Sequence, residues 1–223
     1  MLKFKDENNI YEVGIDEAGR GTLIGPVFTA AVIWPKYLDY NPKFPIKDSK
    51  KLSKNKRYLV KDYIEDNAIC YSVDYVDSIE IDRINILNAT ILSMHNCINK
   101  LLVKPDYLLI DGNNFKPCIY NPNNKKNLKF NEIEYIDYEC VVSGDATYTS
   151  IAAASILAKT YHDIFMMNLI KEYPILKNYD IHNNMGYGTS NHIDAIKLYG
   201  ITPFHRKSFN IVKDQPINPK FLE

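Results

Sequence analysis

Three apolar runs in this chain stop on acids, and that pattern constrains the fold more than any other feature. Residues 11–15 alternate and end in Asp16-Glu17, residues 107–110 end in Asp111, and residues 133–142 alternate and lead into Gly144-Asp145. Short runs of this kind, bounded by turn residues, read as strands. A second β-branched run, 27–34, follows the turn Gly19-Arg20-Gly21, so the chain opens as two strands joined by a Gly-rich loop. Residues 69–76 are a further strand candidate. Ser53 can cap a helix reaching about residue 65, and Asn85 opens another. In that second helix Leu87, Ile91, Met94, Ile98 and Leu101 step by four and three as a core-facing stripe. A long helix is expected over 149–171, small at Ala152-Ala153-Ala154-Ser155 and stopped by Pro174, and a last one over 191–199. Residues 116–131 are polar and read as an exposed loop. Alternating strands and helices predict an α/β fold: a mixed sheet with helices on its faces and a small helical C-terminal unit.

Composition enters where it excludes alternatives. The chain has 223 residues, 46% hydrophobic and 24% charged, enough to bury a core without a metal or disulfide staple. Cys70, Cys97, Cys118 and Cys140 are more than twenty residues apart with no C-x-x-C pair, which argues for four reduced thiols. The start MLKFKDENN lacks the apolar stretch of a secretion signal, and 27–34 is far too short to cross a bilayer. An intracellular, cytoplasmic protein without membrane contact is expected. With 27 basic and 27 acidic side chains the net charge is zero, unlike a general nucleic-acid glue. The balance hides two basic stretches. Residues 47–61 hold seven basic side chains and one acid, and residues 186–213 hold four and one. Either could hold phosphates or simply form a solvated face.

A lone Asp at a strand end is commonly a cap or turn former. Several acids near one sheet edge repel unless a cation sits among them. Hard divalent ions such as Mg²⁺ suit such oxygen donors, and two ions ~3.5–4 Å apart can clamp both oxygens of a phosphodiester displacement. Asp16 is the candidate for bridging both ions. Side chains alternate along a strand, so Asp16 and Glu17 converge only if the strand ends between them. The spacing Gly14-x4-Gly19 mimics a phosphate-binding P-loop, but Arg20 and Gly21 replace its Lys and Ser/Thr. Asp16 and Glu17 would repel a triphosphate there, which excludes that reading.

Val13-Gly14-Ile15-Asp16-Glu17-Ala18-Gly19-Arg20-Gly21 followed by Gly25-Pro26-Val27 resembles the N-terminal motif of type 2 ribonuclease H, ribonuclease HII. Further blocks match in order: Asp48-Ser49-Lys50-Lys51-Leu52-Ser53, Ile84 to Thr90, Ile110-Asp111-Gly112-Asn113 and Gly144-Asp145-Ala146. Ser150 to Lys159, Gly186-Tyr187-Gly188-Thr189 and Thr202-Pro203-Phe204-His205-Arg206-Lys207-Ser208-Phe209 complete the set, so the resemblance covers about residues 12–213. It implies a ribonuclease H-like mixed five-stranded sheet flanked by helices, with a catalytic domain over 1–173 and a C-terminal helical extension and tail over 174–223. The implied activity is hydrolysis of the RNA strand of RNA–DNA hybrids, and incision 5′ of single ribonucleotides in duplex DNA, leaving 3′-hydroxyl and 5′-phosphate ends. The family's metal-binding, catalytic acids correspond to Asp16, Glu17, Asp111 and Asp145, with two Mg²⁺ or Mn²⁺ ions as cofactors. Gly19, Arg20 and Gly21 would contact the ribonucleotide, and Tyr187 would stack on the deoxyribose that follows. Lys50 and Arg206 join them as substrate-binding residues, and the protein is expected to act as a monomer.

Departures from the family pattern are Thr22, where Pro is common, and Ile24, where Ala is frequent. Ser143 replaces a common Lys, His162 a common Arg, and Asn184-Met185 a common His-Lys. These three swaps are expected to remove positive charge near the DNA path and to weaken phosphate binding. The tail 215–222 partly resembles a sliding-clamp peptide, but Asn218 occupies its aliphatic position, and a disordered end is expected instead. Two alternatives stay beside the nuclease reading: a hybrid-binding module without activity, and a ribonuclease HIII-like enzyme acting mainly on long hybrids. The complete acid set argues against the first. Only about ten residues precede the first strand, whereas ribonuclease HIII usually adds an N-terminal substrate-binding domain.

Overall fold

A computed structural model describes residues 2–5, 11–121 and 134–222. Its centre is a five-stranded sheet in the order β3-β2-β1-β4-β5, built from β1 (Glu12–Ala18), β2 (Val27–Ile33), β3 (Cys70–Val76), β4 (Tyr107–Asp111) and β5 (Tyr138–Val141). The first three strands form an antiparallel meander, and β1–β4 and β4–β5 pair in parallel. The sheet is therefore mixed, as expected. Residue 133, where the fifth strand was expected to begin, and residues 122–131 of the expected loop lie outside the described residues. Within the described part of that loop Cys118 is buried and Ile119 bridges to Tyr135, so it is not exposed throughout.

Helix α1 (Lys54–Asn67) starts at Ser53, whose hydroxyl accepts from the Lys56 amide. Helix α2 (Ser78–Ile84) was not expected from the sequence, although Asp77 and Glu80 have capping-box spacing, and the Asp77 side chain accepts from the Glu80 amide. Asn85, at φ 66°, separates it from α3 (Ile86–Lys100) and caps the latter. Helix α4 (Thr149–Glu172) is followed by a 3₁₀ segment, Pro174–Tyr179, then α5 (Ile181–Asn184) and α6 (Ser190–Tyr199). Pro174 thus tightens the chain rather than releasing it into a loop.

The sheet is covered on both faces. Val13, Ile15, Ala31, Ile33, Leu108 and Ile110 pack on Met94, Cys97 and Ile98 of α3. Ala18, Ala30 and Val32 meet the small residues of α4, with Val60 and Ile64 of α1 behind them. Gly14 makes the α4 contact possible: a Cβ there would lie 2.0 Å from the Ser150 carbonyl carbon. The C-terminal helices close over a third cluster that includes Leu23, Ile24, Met166, Leu169 and Ile170. A boundary at 173/174 consequently cuts through continuous apolar packing.

The expected disordered end is corrected. Ile217 bridges to Ile201, buried Asn218 donates to the Tyr179 hydroxyl at 2.8 Å, and Phe221 packs near Tyr173 and Phe204. All four cysteines are free thiols, as expected. Among the described residues no helix is long and apolar enough to cross a membrane.

Candidate active site and substrate-reading loops

The parallel pairing of β1 with β4 ends at Ile15 opposite Ile110, whereas the antiparallel pairing with β2 continues to Ala18 opposite Phe28. Asp16 and Asp111 are the next residues on the two parallel strands, so they emerge side by side where pairing stops. Both belong to the face that meets α4, because neighbours of like parity, Gly14 and Leu109, pack against Ser150 and Ile151. Glu17 has the opposite parity and starts from the α3 face. The strand does not end between Asp16 and Glu17; it is freed on one edge only, and that edge faces β4.

Asp145 arrives by another route. After β5, Ser143 takes a left-handed conformation and Gly144–Ala146 forms a 3₁₀ turn. The Gly144 amide donates to Asp111 Oδ1 at 2.7 Å, tying that turn to the end of β4. The charges of the acids act on one another. Asp16 is held well above the usual carboxylate range, first by burial, then by the charges of Glu17 and Asp111. The Ser155 hydroxyl and the Glu17 amide hydrogen-bond it and partly oppose that rise. Glu17 is raised by burial and Asp111, against the pull of Arg20, whose Nη1 is 3.5 Å from Glu17 Oε1. Asp145 is raised by burial, Asp111 and Asp48, and Lys50 opposes this.

The four acids form one electrostatic cluster. Their donors are all hard oxygens, the set that Mg²⁺ or Mn²⁺ takes, and the repulsion among them is what a divalent cation would relieve. Among the described residues no three His, Cys, Asp or Glu side chains stand close enough together to hold a metal ion; what links the four acids is their mutual charge.

The Asp48–Leu52 stretch lies beside the acids. Asp48 caps the short helix Ser49–Lys51, and Ser49 Oγ sits 3.0 Å from Ser155 Oγ, linking that turn to the residue that hydrogen-bonds Asp16. Sequence reasoning did not single out Asp48, Ser49 or Ser155 as site residues, since their connection spans 106 positions. The basic stretch 47–61 divides in two. Arg57 is structural, donating to Leu52 O and to Asp163 Oδ2, and Lys61 pairs with Glu65, while Lys47, Lys50, Lys51 and Lys54 are exposed.

Arg20 and Gly21 are exposed at the tip of their turn. Gly19, at φ 82°, needs its lack of a side chain twice over, since a Cβ would also meet the His162 ring at 2.5 Å. Thr22 closes this turn through its hydroxyl, 2.9 Å from Gly19 O, which no Pro could do. Tyr187 is 38% exposed and bridges to Thr22, with the Lys159 ammonium 5.4 Å from its ring centre.

Two sequence-based expectations need correction here. Arg206 does not face a substrate: it is 0% exposed and donates to Gly25 O, Arg20 O and Gly19 O. His162 is likewise 0% exposed, edge-on to Phe28, and held neutral by burial, so it does not stand for a missing DNA contact. Met185 packs with the C-terminal cluster, and of the three swapped positions only Ser143 is openly exposed.

Acids gathered at the ends of central strands, on a mixed sheet of this order, define a class: a nuclease of the ribonuclease H-like fold. The family model for ribonuclease HII matches residues 13–212. Ribonuclease HII of Parabacteroides distasonis is 47% identical over 215 residues, covering 96% of this chain and 97% of the relative. That of Christiangramia forsetii is 46% identical, covering 96% and 98%. Among solved structures, ribonuclease H2 from Pyrococcus horikoshii aligns with a TM-score of 0.69 at 23% identity, over 90% of this chain and 94% of that one. Bst-RNase HIII in complex with Mn²⁺ aligns at 0.63 and 15%, over 92% and 68%. The chain belongs to the ribonuclease HII family.

Proposed function

We propose that this chain incises duplex DNA on the 5′ side of a single embedded ribonucleotide, using Asp16, Glu17, Asp111 and Asp145 to hold two Mg²⁺ or Mn²⁺ ions. It is a hydrolytic, divalent-metal-dependent endoribonuclease that acts on RNA–DNA hybrids, in keeping with its family. One observation carries the finer reading: four carboxylates from β1, β4 and the turn after β5 share one electrostatic field.

When bound, the ions supply a nucleophile near neutral pH and stabilise the departing 3′ oxygen. The chain's own residues do the rest. Ser155 and the Glu17 amide orient Asp16. The Gly144 amide fixes one oxygen of Asp111 and leaves the other without that bond. The 2′-hydroxyl is what distinguishes a ribonucleotide, and the exposed Arg20-Gly21 tip lets backbone approach it closely. The Arg20 guanidinium suits the adjacent phosphate. Tyr187 offers a ring face to the following deoxyribose, and Lys50 a charge for the backbone beyond. Action as a monomer is part of the same proposal. A clamp contact through the tail has less support, because Asn218 and Phe221 are engaged in the fold.

The test is nicking of a duplex carrying one ribonucleotide, with an all-DNA duplex as control. Incision with either ion is expected for the wild type, none for the control, and none for Asp16→Asn, which should still bind. A folded wild type that binds this duplex and nicks it with neither ion would make the protein a binding module. Cleavage of uniform hybrids alone would favour the ribonuclease HIII-like reading.

A further inference from the structure

Residues 19–21 and 186–188 are far apart in sequence, yet reading an RNA-to-DNA step requires their spacing to be fixed to a fraction of an ångström. Two buried side chains, adjacent in sequence, reach one loop each. The Arg206 guanidinium forks onto three carbonyls: Nε to Gly25 O at 2.9 Å, Nη1 to Arg20 O at 3.0 Å and Nη2 to Gly19 O at 2.7 Å. Burial lowers its pKa to about 10, which leaves it charged at neutral pH. With these carbonyls turned inward, the Arg20 and Gly21 amides make no hydrogen bond among the described residues, and both residues are exposed.

His205 reaches the other loop through His192. The Thr202 amide can only donate and lies 3.0 Å from His205 Nδ1, and the Thr202 hydroxyl, 2.8 Å from the same nitrogen, can rotate to donate as well, so that nitrogen carries no proton. In a neutral imidazole the proton is then on Nε2, which faces His192 Nε2 at 3.1 Å. His192 must accept there and carry its own proton on Nδ1, 3.0 Å from the Tyr187 carbonyl, which can only accept. Every donor in this line meets an acceptor, and both rings are neutral because burial lowers them, His205 to about 3. The backbone joins the two halves, with the Arg206 amide on Leu23 O and the Gly25 amide on Phe204 O.

The geometry points to His205-Arg206 as a positioning pair that fixes the Gly19–Gly21 turn and the Tyr187 loop relative to each other, and so sets the selectivity for the ribonucleotide junction. This rests on the function proposed above. Neither side chain touches substrate; each acts through main-chain carbonyls.

Three measurements test it. In wild-type protein, nitrogen-15 NMR of the histidines at neutral pH should find His192 with its proton on Nδ1 and His205 with its proton on Nε2. The reverse tautomers, or a charged ring, overturn the relay with no variant needed. R206K keeps the charge but lacks the fork; its kcat on the single-ribonucleotide duplex should fall roughly 10–100-fold with KM near wild type, as expected for misplacement rather than lost binding. H205A should lower incision at the single ribonucleotide about tenfold more than cleavage of a uniform hybrid, since Tyr187 serves only the junction. Folded R206K with wild-type kcat, or H205A with unchanged substrate preference, overturns the proposal even if either melts at a lower temperature. If H205A does not fold, R206K and the tautomers decide, and if neither variant folds, the tautomers decide. A wild type that fails to nick the single-ribonucleotide duplex counts against the function above, and the tautomers are read independently of activity.

Discussion

Asp16 is buried among like charges, and its behaviour without metal follows from that. Its folded-state pKa is raised above the ordinary 3.8, so the folded protein holds a proton that the unfolded chain has released. Stability of the metal-free protein therefore falls as pH rises above about 4 through that window. Asp16→Asn removes the repulsion, and its metal-free form should melt higher, by about 2–4 °C for each kcal/mol relieved. Mg²⁺ should raise the melting temperature of the wild type and not of this variant; calorimetry with and without the ion checks both. Lys50 is exposed beside Asp145. Lys50→Ala should weaken duplex binding and lower the slope of log K against log salt by roughly one contact. The placement of Asp16, Glu17 and Asp111 at the ends of β1 and β4 was legible from the sequence, whereas Asp145 sits in the turn beyond β5. The role of Arg206 was not legible, because an arginine in a basic stretch looks the same in sequence whether it faces water or three carbonyls.

Among the elements, β1 and α4 are the pair on which the site depends. Their contact needs Gly14, where any Cβ would collide with the Ser150 and Ile151 backbone at 2.0–2.2 Å. That backbone cannot swing aside as a flexible side chain would. Gly14→Ala should destabilise by about 1–3 kcal/mol or more, read as a lower urea midpoint, and should shift Asp16 relative to Asp111. The small residues of α4 made its close approach readable, and the 3.6-residue stripe gave α3. The short helix α2 escaped because seven residues carry little periodicity, although Asp77 and Glu80 marked its start. The 3₁₀ segment after Pro174 was missed for a related reason: a proline stops an α-helix but suits the first turn of another.

At the scale of the whole molecule, the C-terminal part is a brace rather than an appendage. It shares its core with α4 and with Leu23 and Ile24, which follow the Gly19–Gly21 turn. Deleting residues 215–223 removes the Ile201–Ile217 bridge and the bond from Asn218 to Tyr179. Such a truncation should lower the melting temperature and cut incision at the single ribonucleotide, while a tail that were merely disordered would change neither. Disorder was expected of the tail because Asn218 breaks the clamp-peptide pattern; the partners that order it lie at Tyr179 and Ile201 and are invisible locally. From the sequence alone came the mixed α/β architecture, the acids, the Gly-Arg-Gly and Gly-Tyr-Gly loops and the family resemblance, all carried by short-range periodicity and by blocks of adjacent residues. Tertiary structure decided which charges point at solvent and which at backbone carbonyls, and that His192 and His205 meet nitrogen to nitrogen. Those outcomes depend on groups brought together from distant parts of the chain, where burial and hydrogen-bond geometry, rather than residue type, determine what a side chain does.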